Sequence, residues 1–230
     1  MPDLAADGLL FFLQSSDTLF PTGAYAHSLG MEEMIRDGAV TNEATLLEFL
    51  QQHILPATQH LDLPLVAWAH RAAAADDRSA LRNTDILAGA LRPTRELRAA
   101  SLQIGRRRLA MLAAVRPTPL LLDFQAQTLD DPQLGHATTV WGAACSPLPI
   151  DSTLQAFFYQ AVSCFCGAAP KLLRIGQEAA QRVLTAALQD AHHIVQAALH
   201  IPKEDIGFFD PILDLASMRH ELASERLFIS

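Results

Sequence analysis

Apolar residues recur along this chain at spacings of three and four, and nowhere is there sustained period-two alternation. That pattern predicts helices throughout and no sheet. A first helix is expected over 9–16. Pro21 and Gly23 break the chain, and a short helix over 26–37 stops near Gly38. Asn42 suits the N-cap of a helix that reaches about Leu55, where Pro56 should end it. Further helices are expected over 62–75, with Pro64 in the first turn, and over 79–89. Thr94 can cap a long helix over 95–115, whose Leu97, Ala100, Ile104, Met111 and Val115 share one face. Short helices follow near 119–128 and 136–145. Asp151 or Ser152 then caps a helix through Phe165, Pro170 kinks it, and the pattern resumes to about Leu199. A last helix is expected over 211–224. The fold class is therefore all-α, a single-domain multi-helix bundle over 1–230 with a kinked central helix. The stripe Leu184, Leu188, Val195 and Leu199 and its neighbour Val183, Ala187, Ile194 and Ala198 are wide enough to imply burial on more than one side. A dimer is expected on that ground.

Composition narrows the function. Half of the 230 residues are hydrophobic and 18% are charged, enough apolar material for a sizeable core. The net charge of −8 disfavours nucleic acid, whose phosphates repel an acidic chain. Arg106, Arg107 and Arg108 form the one dense basic run, and it lies inside a helical pattern. Membrane insertion is not expected. The run Leu9 to Leu13 is too short to span a bilayer, and the segment 154–170 carries Gln155, Tyr159, Gln160 and Ser163. Met1 to Gly8 lacks the basic start of a signal peptide, and the three cysteines form no disulfide framework. A cytoplasmic protein is expected.

The chemistry-bearing residues do not assemble into an enzyme signature. His192 and His193 are adjacent, so on a helix they point about 100° apart and cannot share a metal as an i, i+4 pair would. Cys164 and Cys166 have poor spacing for a zinc knuckle. Phosphate-cradling glycine loops, nucleophile elbows and the His-Glu-x-x-His pattern are absent, and His220-Glu221 lacks a second histidine. No catalytic residue, metal site or cofactor is assigned.

Three segments, read together, resemble the UreF family of urease accessory proteins. The first is the stretch Leu13 to Glu32, with Pro21, Gly23, Tyr25, Ser28, Gly30 and Glu32 at the marked positions and Met31 where leucine is usual. The second runs from Ala169 to Gln177, with Lys171, Gly176 and Gln177. Pro170 and Arg174 depart from the family pattern there. The third is His220-Glu221 followed by Arg226-Leu227-Phe228-Ile229-Ser230, with Ile229 replacing a frequent basic residue. The resemblance implies an all-α dimer that binds the UreD/UreH-type accessory protein, recruits the UreG GTPase and serves nickel delivery to apo-urease. In that picture the protein is a non-enzymatic adaptor. Two alternatives accompany it: direct action on the GTPase site through an arginine such as Arg106, or transient nickel carriage by Cys164, Cys166 and the histidines.

Pro21 and Gly23 equally suit a simple turn, Gly30 a close helix contact, and Gly176 tight helix packing. The partner-binding set is placed at His220, Glu221, Arg226, Leu227 and Phe228. Two apolar side chains so near a chain end gain little unless something buries them, whether the protein's own body or a partner. Residues 218–230 are expected to be loosely packed until a partner orders them, and removal of 225–230 is expected to leave the fold intact.

Overall fold

The computed structural model describes residues 4–17, 19–24 and 27–229, with side chains from Gly8 onward. The described residues are helical, with no strand among them. The helices are α1 (Leu4–Ser16), α2 (Met31–Arg36), α3 (Glu43–Phe49), α4 (Leu55–Ala57), α5 (Leu63–Ala74), α6 (Arg78–Ala90) and α7 (Arg95–Val115). They continue with α8 (Pro119–Asp130), α9 (Ala137–Ala144), α10 (Ile150–Leu172), α11 (Gln177–Ala187), α12 (Ala191–Leu199) and α13 (Pro211–Leu222).

Pro56 does not stop its helix. Residues 43–74 form one unbroken helical rod in which π-helical segments, Leu50–Ile54 and Thr58–Asp62, link α3, α4 and α5. The physical reason lies in the prolines. Pro56 and Pro64 have no N–H to offer the carbonyl four residues back. Each is preceded by a widened turn whose last bond skips five residues, Leu55 N–H to the Leu50 carbonyl and Leu63 N–H to the Thr58 carbonyl. The carbonyl that Pro64 leaves open, that of His60, accepts instead from Gly207 N–H at 3.0 Å.

Other boundaries shift for local reasons. Asn42 caps α3 as expected, in a reciprocal box with Thr45. Thr94 occupies the N-cap position of α7, but its buried hydroxyl makes no capping bond. Pro149, rather than Asp151 or Ser152, stands at the N-cap of α10. The helix expected over 26–37 begins only at Met31, because Leu29 and Gly30 both take positive φ (51° and 91°). At Pro170 the chain does more than bend: α10 ends two residues later, and Leu173 is extended before α11 starts.

The centre of the molecule is α9. It is wedged between α5 and α7, and glycines permit both approaches. A Cβ on Gly142 would lie 2.5 Å from the Val66 carbonyl oxygen of α5, and one on Gly105 of α7 would lie 2.6 Å from Ala137 N. The N-terminus of α9 is held by a buried carboxylate from α6. Asp85 accepts from Gly135 N (2.5 Å), His136 N (2.9 Å) and the Thr139 hydroxyl. Trp141 on α9 is fully buried, donates to the Thr153 carbonyl at 3.0 Å, and packs against Phe11 and Phe12. Phe158, Leu154, Val162, Leu109, Leu112 and Phe124 surround it in the main core.

Since both glycines sit where a methyl group would strike backbone, Gly105→Ala and Gly142→Ala are expected to destabilise the fold by about 1–3 kcal/mol each. Gly176→Ala, which meets open space, should be nearly neutral. Urea unfolding midpoints at constant slope measure the difference.

Candidate functional site

The first and third sequence segments come together around α13. Its N-cap is Asp210, whose side chain accepts from Ile212 N (3.1 Å) and Leu213 N (3.0 Å). The same carboxylate reaches His53 Nδ1 at 2.6 Å, tying the helix to the rod. Proline at the first helical position and a capping aspartate before it explain why α13 starts here. One face of α13 packs on α2 and α7. Gly30, just before α2, faces Leu213: a Cβ there would lie 3.1 Å from Leu213 Cδ1, and φ of 91° also favours glycine. The close helix contact expected of Gly30 is met here, and the positive φ is an additional reason for glycine.

His220 is the centre of the arrangement. Its side chain is fully buried, with Nδ1 2.7 Å from Glu96 Oε1 and Nε2 3.1 Å from Glu32 Oε2. A neutral imidazole has one N–H, so both contacts are donated hydrogen bonds only when the ring carries both protons. Ser217 Oγ donates to Glu96 Oε2 at 3.2 Å. Glu32 is also the anchor of the chain end, accepting from Leu227 N (3.0 Å) and Phe228 N (3.1 Å). Burial pushes the Glu32 carboxyl up, but the Leu227 N–H, the His220 ring and the Phe228 N–H outweigh it and hold the group below its ordinary value. Arg226 Nη1 stands 3.7 Å from Glu96, and Arg36 donates to the Glu225 carbonyl at 3.1 Å. A carboxylate–imidazole–carboxylate chain therefore joins α2, α7, α13 and the terminal segment.

This placement divides the expected partner-binding set. His220 and Phe228, the latter 6% exposed, face inward. Glu221 pairs with Arg95 of α7. Leu227 is 75% exposed and Arg226 is partly so. Residues 218–229 meet the body through these bonds, and loss of 225–230 would strip Glu32 of two donors and empty the Phe228 site. Phe228 joins the main core, with Lys171 Nζ 5.8 Å from its ring centroid. Lys171 is the link between the second segment and the clasp. Gly176 and Gln177 lie apart from it, exposed at the start of α11, and Gly176 packs against nothing, contrary to the expected tight contact. Pro21 is exposed. Gly23 (φ 76°) lies against the Arg107 guanidinium, which leaves no room for a side chain. Ser28 is fully buried. Tyr25 lies outside the described residues.

The residues behind the two alternatives are placed as follows. Arg106 is engaged with the 131–134 turn, Nε donating to the Leu134 carbonyl (2.8 Å) and Nη2 to that of Asp131 (2.9 Å). Burial pushes the thiols up, Cys164 to about 11 and Cys166 to about 12, which disfavours the thiolate a metal would need. His192 and His193 are exposed. Among the described residues no three His, Cys, Asp or Glu side chains come together as a metal site.

Sequence reasoning missed Glu96, Ser217 and Asp210. Glu96 sits among Arg95 and Arg98 in a first turn where an acid normally faces solvent, so only its burial marks it. The outward side of α13 was half legible. Met218 and Leu222, four apart, are both exposed, and Ile212 and Leu215 continue the strip.

Comparison with known proteins gives the family, and the matched range of its model contains the second segment. The UreF family model matches residues 40–188. A urease accessory protein UreF from Xanthobacter autotrophicus (strain ATCC BAA-1158 / Py2) is 36% identical over 214 residues, covering 92% of this chain and 86% of its own. One from Paenarthrobacter aurescens (strain TC1) is 30% identical over 233 residues, covering 99% of this chain and all of its own. One from Arthrobacter sp. (strain FB24) is 29% identical over 219 residues, 94% and 95% of the two chains.

Removing the imidazole leaves two carboxylates facing each other in the interior. His220→Ala is expected to cost about 3–5 kcal/mol, the penalty of breaking a buried charge pair from one side, read by urea unfolding. Acid provides a second measurement. A carboxyl held below its ordinary 4.5 contributes stability that is fully present above that value and is lost as pH falls through the lowered one. Amide exchange at Leu227 and Phe228 should therefore stay protected at neutral pH and speed up below about pH 4.5. In Glu32→Gln that acid-dependent step should shrink.

Proposed function

The chain belongs to the UreF family of urease accessory proteins, and from that premise we propose that it is a non-enzymatic cytoplasmic adaptor in nickel insertion. It binds the UreD/UreH-type accessory protein, and the pair recruits the UreG GTPase and serves apo-urease. The observation that carries this reading is the outward face of α13 and the segment after it. Phe209, Ile212, Leu215, Met218, Leu222 and Leu227 are large apolar side chains left in water, Leu222 at 86% exposed. Along the helix the spacings of three and four put them on one side, and the inner side is fixed by His220. A rigid helix that presents an uncovered apolar strip is a docking surface rather than a core element. The UreD/UreH-type protein is assigned to it.

A second uncovered strip, Leu9, Leu10 and Leu13 on α1, gives the chain another apolar surface, and the reading includes a homodimer. Neither alternative role draws support from geometry: the Arg106 side chain is occupied, and the buried thiols are poor ligands. No helix among the described residues is long and apolar enough to cross a membrane.

Leu222→Asp puts a charge into the strip without touching the buried clasp. It should leave the unfolding midpoint nearly unchanged and weaken binding to the UreD/UreH-type protein tenfold or more, about 1.4 kcal/mol, in a calorimetric titration. Wild-type affinity in Leu222→Asp would remove α13 as the docking face. Light scattering of the free chain should give twice 25.0 kDa; a 25.0 kDa species alone at micromolar concentration would end the dimer.

A further inference from the structure

Arg108 is a buried cation with no counter-charge among the described residues. Its side chain leaves α7 for the interior and is 6% exposed. Nη1 donates to the Ser15 carbonyl at 3.3 Å and Nη2 to Gln160 Oε1 at 2.7 Å. The guanidinium carbon lies 4.6 Å from the Trp141 ring centroid and 5.9 Å from that of Phe20. These contacts are to neutral groups. Among the described residues no carboxylate forms an ion pair with it, whereas the partly buried Arg92 of the same half of the chain is met by Asp62. Burial pushes the group down to about 10, still far above neutrality, so the charge is present at pH 7. Two of its five N–H groups are engaged, and Nε has no partner among the described residues.

The same side chain borders an open cleft of about 580 Å³ between α1, residues 19–24 and α10. That volume lies in the range of small-molecule sites and holds far more than one water. Its wall is mixed: Phe20, Ala24 and Ala168 stand beside the polar Thr22, Gln160 and Lys171, with Asp17 at the exposed rim. Thr22 Oγ1 accepts from Ala24 N at 3.3 Å, which leaves its own hydrogen to donate. Lys171 brings a second positive charge to the wall. The buried guanidinium, with N–H groups that the described residues leave unused, and the Thr22 hydroxyl beside one cleft are donors suited to a compact oxyanion.

We propose that this cleft is a binding site for a small oxyanion, of carboxylate or phosphate type, with Arg108 as its fixed charge. It is separate from the α13 surface and does not depend on the adaptor reading. The bound anion supplies the charge that the protein leaves out, so it stabilises the folded chain.

The test is a calorimetric titration of the full chain with inorganic phosphate and, separately, with acetate, at ionic strength held constant with chloride. A saturable heat for at least one anion is expected, with a matching rise in melting temperature. Arg108→Met should weaken it tenfold or more, and Lys203→Met, far from the cleft, should not. Should Arg108→Met fail to fold, Ser163→Trp fills the cleft and leaves Arg108 in place. It is expected to remove the heat while keeping a cooperative melt. No saturable heat with either anion, or equal heats in wild type, Arg108→Met and Ser163→Trp, would overturn the site.

Discussion

The buried imidazole between two carboxylates is the constraint on which the functional end of this molecule depends. Charges taken out of water are costly, and the cost falls when each is answered. Here every answer comes from a different part of the chain: Glu32 from α2, Glu96 from α7, His220 from α13 and the N–H groups of Leu227 and Phe228 from the terminal segment. No member can be displaced alone without leaving a charge unmet. Elements that are distant in sequence are thereby fixed in one relative position, and the outer side of α13 inherits that rigidity. On the proposed adaptor reading, a docking helix held this way binds without first having to be ordered, which spares the entropic cost that a loose segment would incur.

The core supplies a different kind of order. Glycines at 105 and 142 bring α7 and α5 into backbone contact with α9, and Asp85 satisfies the N–H groups that begin α9. Steric closeness and a capped helix end act on the same short element. The interior can then afford an arginine stacked on Trp141, because its shape is set by backbone rather than by that charge. The molecule thus separates two tasks: packing around α9 sets the fold, and the polar chain at α13 sets the surface.

Much of this was legible in the sequence. Spacings of three and four residues gave the helices, and Asn42 gave a correct cap. What failed had physical causes that a one-dimensional pattern does not carry. Pro56 reads as a stop, yet a widened turn absorbs its missing donor. Gly176 reads as a packing residue, yet it meets open space, whereas Gly105 and Gly142, which no packing role had marked, sit where backbones touch. Of the candidate site, Glu32 and His220 were marked through the family resemblance, but their partner Glu96 was hidden among surface-like charges. Phe228 and Leu227 looked alike as apolar residues near a chain end. Only the three-dimensional placement shows that one is inside and the other outside.

The widened turns of the rod carry one more implication. His53 lies in the first and His60 in the second, and both are bonded to the stretch just ahead of α13, His53 through the Asp210 side chain and His60 through Gly207 N–H. A π-helical turn holds its carbonyls less uniformly than an α-helical one and changes register at low cost. The stretch that leads into α13 is therefore moored to the two widened turns of the longest helical run in the described fold. The far arm of that run, α5, packs on α9, so one continuous element connects the approach to α13 with the centre of the core.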